Sequence, residues 1–371
     1  MRVSDWTRRS SAAQQRAITR WIGALGAAKF VLLVIRFHLL RLVSGMDPIV
    51  LEATGLIVVG LVASYAVARG THTRLAAAVV ASASWLLIWR VPAMSSHHFT
   101  FLTWLFVIAA FVDEPASEVT ASPDGAVTPV ATRTAWPLQL FRCQLSIVYL
   151  FTAVSKINTD FLSGLVAYEL LHNSVVHLPL PAGLDHTAWF LGPMAAVTLV
   201  GEAVLAVALW SPRWRRLAFA VSLPLHVGMT FLASGTWLVF AEIVVFSLAV
   251  FAVDFSFVDV PVERARLSYP RGDPGAAKAA RWIGRLDLLH TTDVVAADPA
   301  AAEGEARWTL TVGGGPTVTG WRAVQEVLGW SPVAFLPAAW LGFPGVRGRA
   351  AQRFGASDAR PAGASELAPV A

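Results

Sequence analysis

Through its first two thirds the chain alternates long apolar runs with short polar breaks. The runs lie at about 20–41, 49–68, 74–89, 98–112, 137–157, 187–210, 215–233 and 236–254. A helix needs roughly 20 predominantly apolar residues to cross the hydrocarbon layer of a membrane. The pattern therefore predicts an all-α polytopic membrane domain of about eight transmembrane helices over 20–257. Residues 1–19 read as a basic cytoplasmic lead-in, polar for too long to be a cleavable signal peptide. Two connections are longer than the rest: 113–136, rich in Pro, Ala and Thr, and 158–186, which holds His172, His177 and His186. Beyond Phe251 the period changes. Strand patterns near 265–269, 291–297 and 307–312 alternate with helical ones near 275–289, 319–328 and 332–341. They predict a small α/β unit over 262–345. The tail 354–371, rich in Ala, Ser and Pro, reads as disordered.

One run stands apart. FRCQLSIVYLFTAVSKINTDFLSG, Phe141 to Gly164, begins as an apolar helix and sets Lys156 at what should be a membrane-spanning end. Counted back from Lys156 at 100° per residue, Thr152, Tyr149, Leu145 and Arg142 fall within about 40° of one line. Two readings of this polar stripe are open. Ionisable groups at membrane depth usually face a cavity or a partner, which makes the stripe a site. Alternatively, Lys156 and Arg142 cap the two helix ends and reach for headgroups.

Other polar residues fall inside the runs. Lys29, Arg36 and His38 make the first run a poor lipid-facing helix, so one of its faces should be covered by protein. Ser222, His226 and Thr230 follow one another at i, i+4 and i+8, on a face about 80° wide. Pro224, just before His226, loosens the helix and frees backbone carbonyls there. Glu202 and Glu242 are expected to be neutral or paired with one of the membrane arginines.

Composition agrees with the pattern. Apolar residues make up 56% of the 371 and charged residues 14%, where a soluble domain carries about 25% charged. The formal net charge of +5 does not point to nucleic acid, because the arginines sit at the ends of apolar runs. Their placement predicts an orientation. Arg69, Arg74, Arg213, Arg215, Arg216 and the C-terminal unit lie inside, and Arg41, Arg90 and 158–186 lie outside. The single cysteine, Cys143, rules out an intrachain disulfide, a CxxC centre and a cysteine-based zinc site.

The string YLFTAVSKINTDFLSG (149–164), followed by GEAVLAVALW (201–210) and LPLHVGMTF (223–231), resembles the HTTM domain. That domain is the membrane core shared with vitamin K-dependent gamma-carboxylase, and the resemblance covers about 16–255. It implies roles residue by residue. Lys156 matches the lysine that acts as base on the reduced quinone, and Tyr149, Asp160 and Gly164 match the motif around it. Phe161 stands where the family often has Trp, and Glu202 and His226 match polar residues of the two following helices. A lysine desolvated in an apolar pocket is available as the neutral amine, the form that accepts a proton. The carboxylase also carries a large extramembrane region that binds its peptide substrate. Its absence here argues against peptide carboxylation and leaves quinone chemistry.

ARLSYPRGDPGAAKAARWIGRLDLL and VTGWRAVQEVLGWSPVAFLPAAWLGFPGVR resemble the DCC-motif thiol–disulfide oxidoreductases, a thioredoxin-like family. The loop that should carry the CxxC reads YPRGDPGAAKAARW, without cysteine, so thiol exchange is excluded and a structural or partner-binding role is left. The leading functional expectation is an oxidoreductase-like or lyase-like membrane enzyme using a quinone or quinol. Lys156 is its base, His226 the polar partner, and Tyr149, Thr152, Asp160, Glu202 and Ser222 bind. The alternative is a non-catalytic membrane scaffold, or a maturation or immunity factor for a secreted peptide, with a thiol oxidoreductase as a further candidate partner. No inverted repeat supports a transporter.

Overall fold

The computed structural model describes residues 9–44, 48–92, 96–112, 132–174, 181, 183–232, 235–261, 264–297, 308–313 and 317–355. They fall into two compact units, the first ending at Phe257 and the second starting at Val258. His177 and most of 113–136 lie outside the described residues, as does the tail from 356.

The first unit is a helix bundle. Its short strands β1 (Arg9–Ser11) and β2 (Thr132–Thr134) pair antiparallel. The long helices are α1 (Ala12–Ser44), α2 (Pro48–Arg69), α3 (Thr73–Arg90), α4 (His97–Ala109) and α5 (Trp136–Ser155). After the short α6 (Thr159–Leu162) and α7 (Leu165–His172) come α8 (Ala188–Ala208), α9 (Arg215–Leu232) and α10 (Trp237–Asp254). Among the described residues, five helical stretches are long and apolar enough to cross a membrane: Ala12–Phe37, Ile49–Arg69, Trp136–Ser155, Ala188–Ala208 and Trp237–Phe257. The expectation of eight is therefore met strictly by five. The other three apolar runs are helices too, but α4 has 13 residues, about 20 Å against a hydrocarbon layer of about 30 Å. Arginines at the ends of α3, and the pair Arg215–Arg216 opening α9, dilute those two.

Helix α1 starts at Ala12, ahead of the expected start near 20, because its first turns are not a free polar lead-in. Gln14 and Gln15 are buried, and the Gln14 side-chain amide donates to the carbonyl of Phe255 at 2.8 Å. The bundle packs closely where glycine permits. A Cβ at Gly23 would lie 2.4 Å from the backbone nitrogen of Ala68, and one at Gly60 2.2 Å from the ring of Phe30. Small residues at helix contacts are how apolar helices gain packing energy inside lipid, where burial by itself drives little.

The connection 158–186, expected as a loop with histidines, is partly helical. Asn158 accepts from the backbone N–H of Phe161 at 2.9 Å and so caps α6. Gly164 then has φ +86°, and a Cβ there would meet Leu191 Cβ at 2.6 Å. Backbone conformation and space both demand glycine at this position of the motif.

In the second unit a four-stranded sheet has the order β4-β3-β5-β6, with β3 Ala265–Tyr269, β4 Thr292–Ala296, β5 Thr309–Val312 and β6 Val318–Thr319. β3 and β4 are parallel (Leu267 opposite Val294) and joined by α11 (Pro274–Leu286). β3–β5 and β5–β6 are antiparallel. Three helices follow: α12 (Trp321–Gly329), α13 (Phe335–Trp340) and α14 (Pro344–Phe354). Strand β6 and helix α14 were not expected from the pattern. Leu267, Leu310, Trp308, Ala323 and Val324 form the core, and Trp308 meets Phe354 edge-on at 5.8 Å.

Two glycines of α2 separate packing from propensity. Gly60→Ala forces the fully buried Phe30 to move and should destabilise by about 1–3 kcal/mol. Gly55→Ala, with open space around it, should stay within about 0.5 kcal/mol of the parent. Thermal unfolding of both variants in lipid nanodiscs checks the contrast.

Candidate functional site

Helix α5 carries the polar stripe and turns it toward three different partners. At its start Arg142 donates from Nε to the carbonyl of Ser256 at 2.8 Å and from an NH2 group to the same oxygen. Its guanidinium also lies over the ring of Phe257 at 5.2 Å. This end of the stripe closes the carbonyls at the end of α10, a structural task. At mid-helix, buried Tyr149 brings its hydroxyl to 2.9 Å from His226 Nε2 and 3.4 Å from Ser222 Oγ, both on α9. Ser222 donates to Asp254 Oδ2 at 2.7 Å. A chain of hydrogen bonds thus runs Asp254–Ser222–Tyr149–His226 across α10, α9 and α5. One turn beyond His226, Thr230 donates to the His226 carbonyl at 2.7 Å and lies 2.9 Å from Ser247 Oγ on α10.

At the far end Lys156 follows the last turn of α5, its backbone N–H bonded to Ala153 O at 3.2 Å. Its ammonium meets Glu202 Oε2 of α8 at 2.5 Å. The Lys156 side chain is 16% exposed and that of Glu202 5%. Nζ also stands 5.7 Å from the centre of the Phe161 ring. Both groups are built on α5, Lys156 with α8 and Tyr149 with α9 and α10, and make up its polar zone.

A second charged group occupies the bundle. Lys29 of α1, 2% exposed, lies 3.1 Å from Glu242 Oε2 of α10, an ion pair without the alignment of a full hydrogen bond. Arg36, two turns further along the same face of α1, approaches the other oxygen at 3.6 Å. Phe99 of α4 lies beneath the Lys29 ammonium at 5.7 Å. His98 stacks on Phe246 at 4.4 Å, and Phe246 meets the His226 ring edge-on at 6.3 Å. Phe246 separates the two polar groups.

The family model of the HTTM domain matches residues 28–252, more than half of the chain and the whole of this polar zone except Asp254. The chain belongs to the HTTM domain family. No curated protein and no solved structure matches it. Together with the apolar helices, the family makes this a multi-pass membrane protein.

Within the HTTM domain the expected residues do not all converge. Lys156 and Glu202 meet, and Tyr149, His226 and Ser222 meet. Thr152 donates its hydroxyl back to Val148 O and Tyr149 O of its own helix, at 2.9 and 3.1 Å. Asp160 stands exposed in the first turn of α6, apart from both groups. Glu242 pairs with a lysine as well as an arginine. Asp254 was missed. Its signal in the sequence is weak, a lone carboxylate between valine and phenylalanine in FAVDFSF, at the end of the last apolar run.

Without Lys29 the buried Glu242 keeps only the longer contact with Arg36, so Lys29→Met should destabilise the protein by about 1–3 kcal/mol. Lys29→Met with Glu242→Gln should recover most of that loss. Thermal unfolding of the single and double variants in nanodiscs measures the difference.

Proposed function

We propose that this HTTM protein handles protons for a quinol-type substrate at the Lys156–Glu202 pair, with Lys156 as the base. The observation that carries the reading is the 2.5 Å approach of the Lys156 ammonium to Glu202 at the end of the family motif. There Nζ donates to Oε2 in a charge-assisted hydrogen bond. Passing that proton to the carboxylate leaves the amine that a general base requires. The donor set suits a hydroquinone, whose hydroxyls need an acceptor and whose ring needs apolar surroundings. A bound quinol supplies the electrons of such a reaction and its own hydroxyl protons. Tyr149 and His226 hold a second exchangeable proton between Oη and Nε2 within the same zone. Ser222 and Asp254 orient Tyr149 from behind.

The second unit supports a thioredoxin-like reading. Its parallel β-α-β element, followed by an antiparallel hairpin and a helix, suits that fold, and α11 begins at the position of the missing CxxC. Asp273 caps that helix through Gly275 N at 2.7 Å. With Cys143 the only cysteine, the unit cannot exchange disulfides and serves as a partner-binding or structural module.

Turnover tests the base. The purified protein in nanodiscs should oxidise a short-chain naphthohydroquinone to the quinone faster than empty nanodiscs do, with dissolved oxygen taking the two electrons and two protons to give hydrogen peroxide. Lys156→Arg keeps a cation opposite Glu202 but has no neutral form, so the rate should fall by roughly 100-fold or more with the fold intact. Wild-type turnover in that variant, or none in the parent, sinks the reading.

Orientation belongs to the same proposal. With all eight long helices crossing, both termini lie in the cytoplasm, as the arginine clusters at 213–216 and 264–285 favour. A reporter enzyme that matures only outside the cytoplasm, fused after residue 371, should stay silent. Activity there would mean that an odd number of helices cross.

A further inference from the structure

The connecting helix of the second unit has a face that the sheet does not use. Helix α11 buries Ala276, Ala280 and Ile283 against its own unit. On the other side Lys278, Arg281, Trp282 and Arg285 are exposed. At 100° per residue these four lie within an arc of about 100°, a single stripe along the helix. Trp282 and, just past the helix end, Leu288 are each 54% exposed. The Arg285 guanidinium lies over the Trp282 ring at 5.4 Å. No carboxylate interrupts the stripe. Asp273 sits before the first turn, bonded to Gly275 N. Asp287 is buried and accepts from Thr291 N, Thr291 Oγ1 and Thr292 N at 3.2, 3.1 and 2.7 Å.

We infer that this face rests on an anionic phospholipid surface, with Lys278, Arg281 and Arg285 against phosphates and Trp282 and Leu288 dipping into the interface. Three observations select lipid headgroups as the occupant. The charge is of one sign, three cations on one stripe. The apolar residues are a tryptophan and a leucine, the pair that suits the boundary of headgroup and acyl chain. Finally, the unit starts at Val258, directly after the apolar stretch Trp237–Phe257, so the chain delivers it to a bilayer surface at high effective concentration. Exposed arginine and tryptophan also serve protein interfaces, and the experiment below separates that case.

The test uses the full chain in nanodiscs, with Cys143→Ser to remove the native thiol and Gly284→Cys to carry an environment-sensitive fluorophore. Gly284 is exposed with open space around it, at the margin of the stripe. Emission should shift to the blue and rise several-fold when phosphatidylcholine is replaced by a mixture with phosphatidylglycerol. High salt should reverse the change. Reversing all three charges (Lys278→Glu, Arg281→Glu, Arg285→Glu) should weaken docking by about 100-fold or more, at roughly fivefold for each cation lost. Trp282→Ala should weaken it less and leave the salt dependence in place. Emission that is the same in both lipids overturns the proposal and assigns the face to a protein partner. So does a lipid-dependent shift that survives the triple reversal. The three residues are exposed, so a folded control is available from the unchanged thermal unfolding of the labelled parent and the variant.

Discussion

A charged group inside an apolar helix bundle has no water to satisfy it, and the ionisable groups buried here meet partners on other helices. This constraint ties the bundle together. Lys29 and Glu242 join the first long helix to the last. Lys156 and Glu202 join α5 to α8. Tyr149, Ser222, His226 and Asp254 join α5, α9 and α10. Apolar side chains pack the same helices, but a packed apolar contact tolerates sliding, whereas a buried ion pair has one register. The polar contacts therefore decide which faces meet.

The same constraint distributes roles along α5. Its stripe is collinear on the helix surface, yet about 20 Å of helix separates Arg142 from Lys156. No single ligand-sized site takes in both ends. Arg142 goes to the backbone carbonyl of Ser256, Tyr149 to a hydrogen-bonded chain, and Lys156 to a carboxylate. Arg142 neither caps its own helix nor reaches for headgroups: it closes a carbonyl of the turn after α10. Lys156 has features of both readings, a backbone position at the helix end and an amine turned inward to Glu202. Phe246, lying between His98 and His226, keeps the Lys29 pair apart from the zone around Tyr149.

Glycine sets the spacing at which this is feasible. Gly23 lets α1 and α2 come within backbone contact, Gly60 admits the ring of Phe30, and Gly26 admits the ring of Phe106. Gly164 turns the chain from α6 into α7 hard against Leu191, at the start of α8. That turn lies between Lys156 and the helix that carries Glu202. The glycine of the family motif is therefore a structural part of the pairing, although it carries no chemistry.

What the sequence determined alone is what depends on period and composition. The apolar runs announced the helices, the change of period after Phe251 announced a sheet, and the single cysteine excluded an intrachain disulfide. Lys29, Lys156, Glu202, Tyr149 and His226 were visible because an ionisable or polar residue in an apolar run is costly. Pairing was not visible, since Lys156 and Glu202 are far apart in the chain and nothing local to either names the other. Periodicity places a residue on a face; only packing says which helix that face meets. Glu242 shows the difference: an arginine was the expected partner, and the tertiary structure put the buried Lys29 closest. Asp254 escaped for the same reason, because a carboxylate near the end of a span looks solvated until Ser222 of another helix is seen to donate to it.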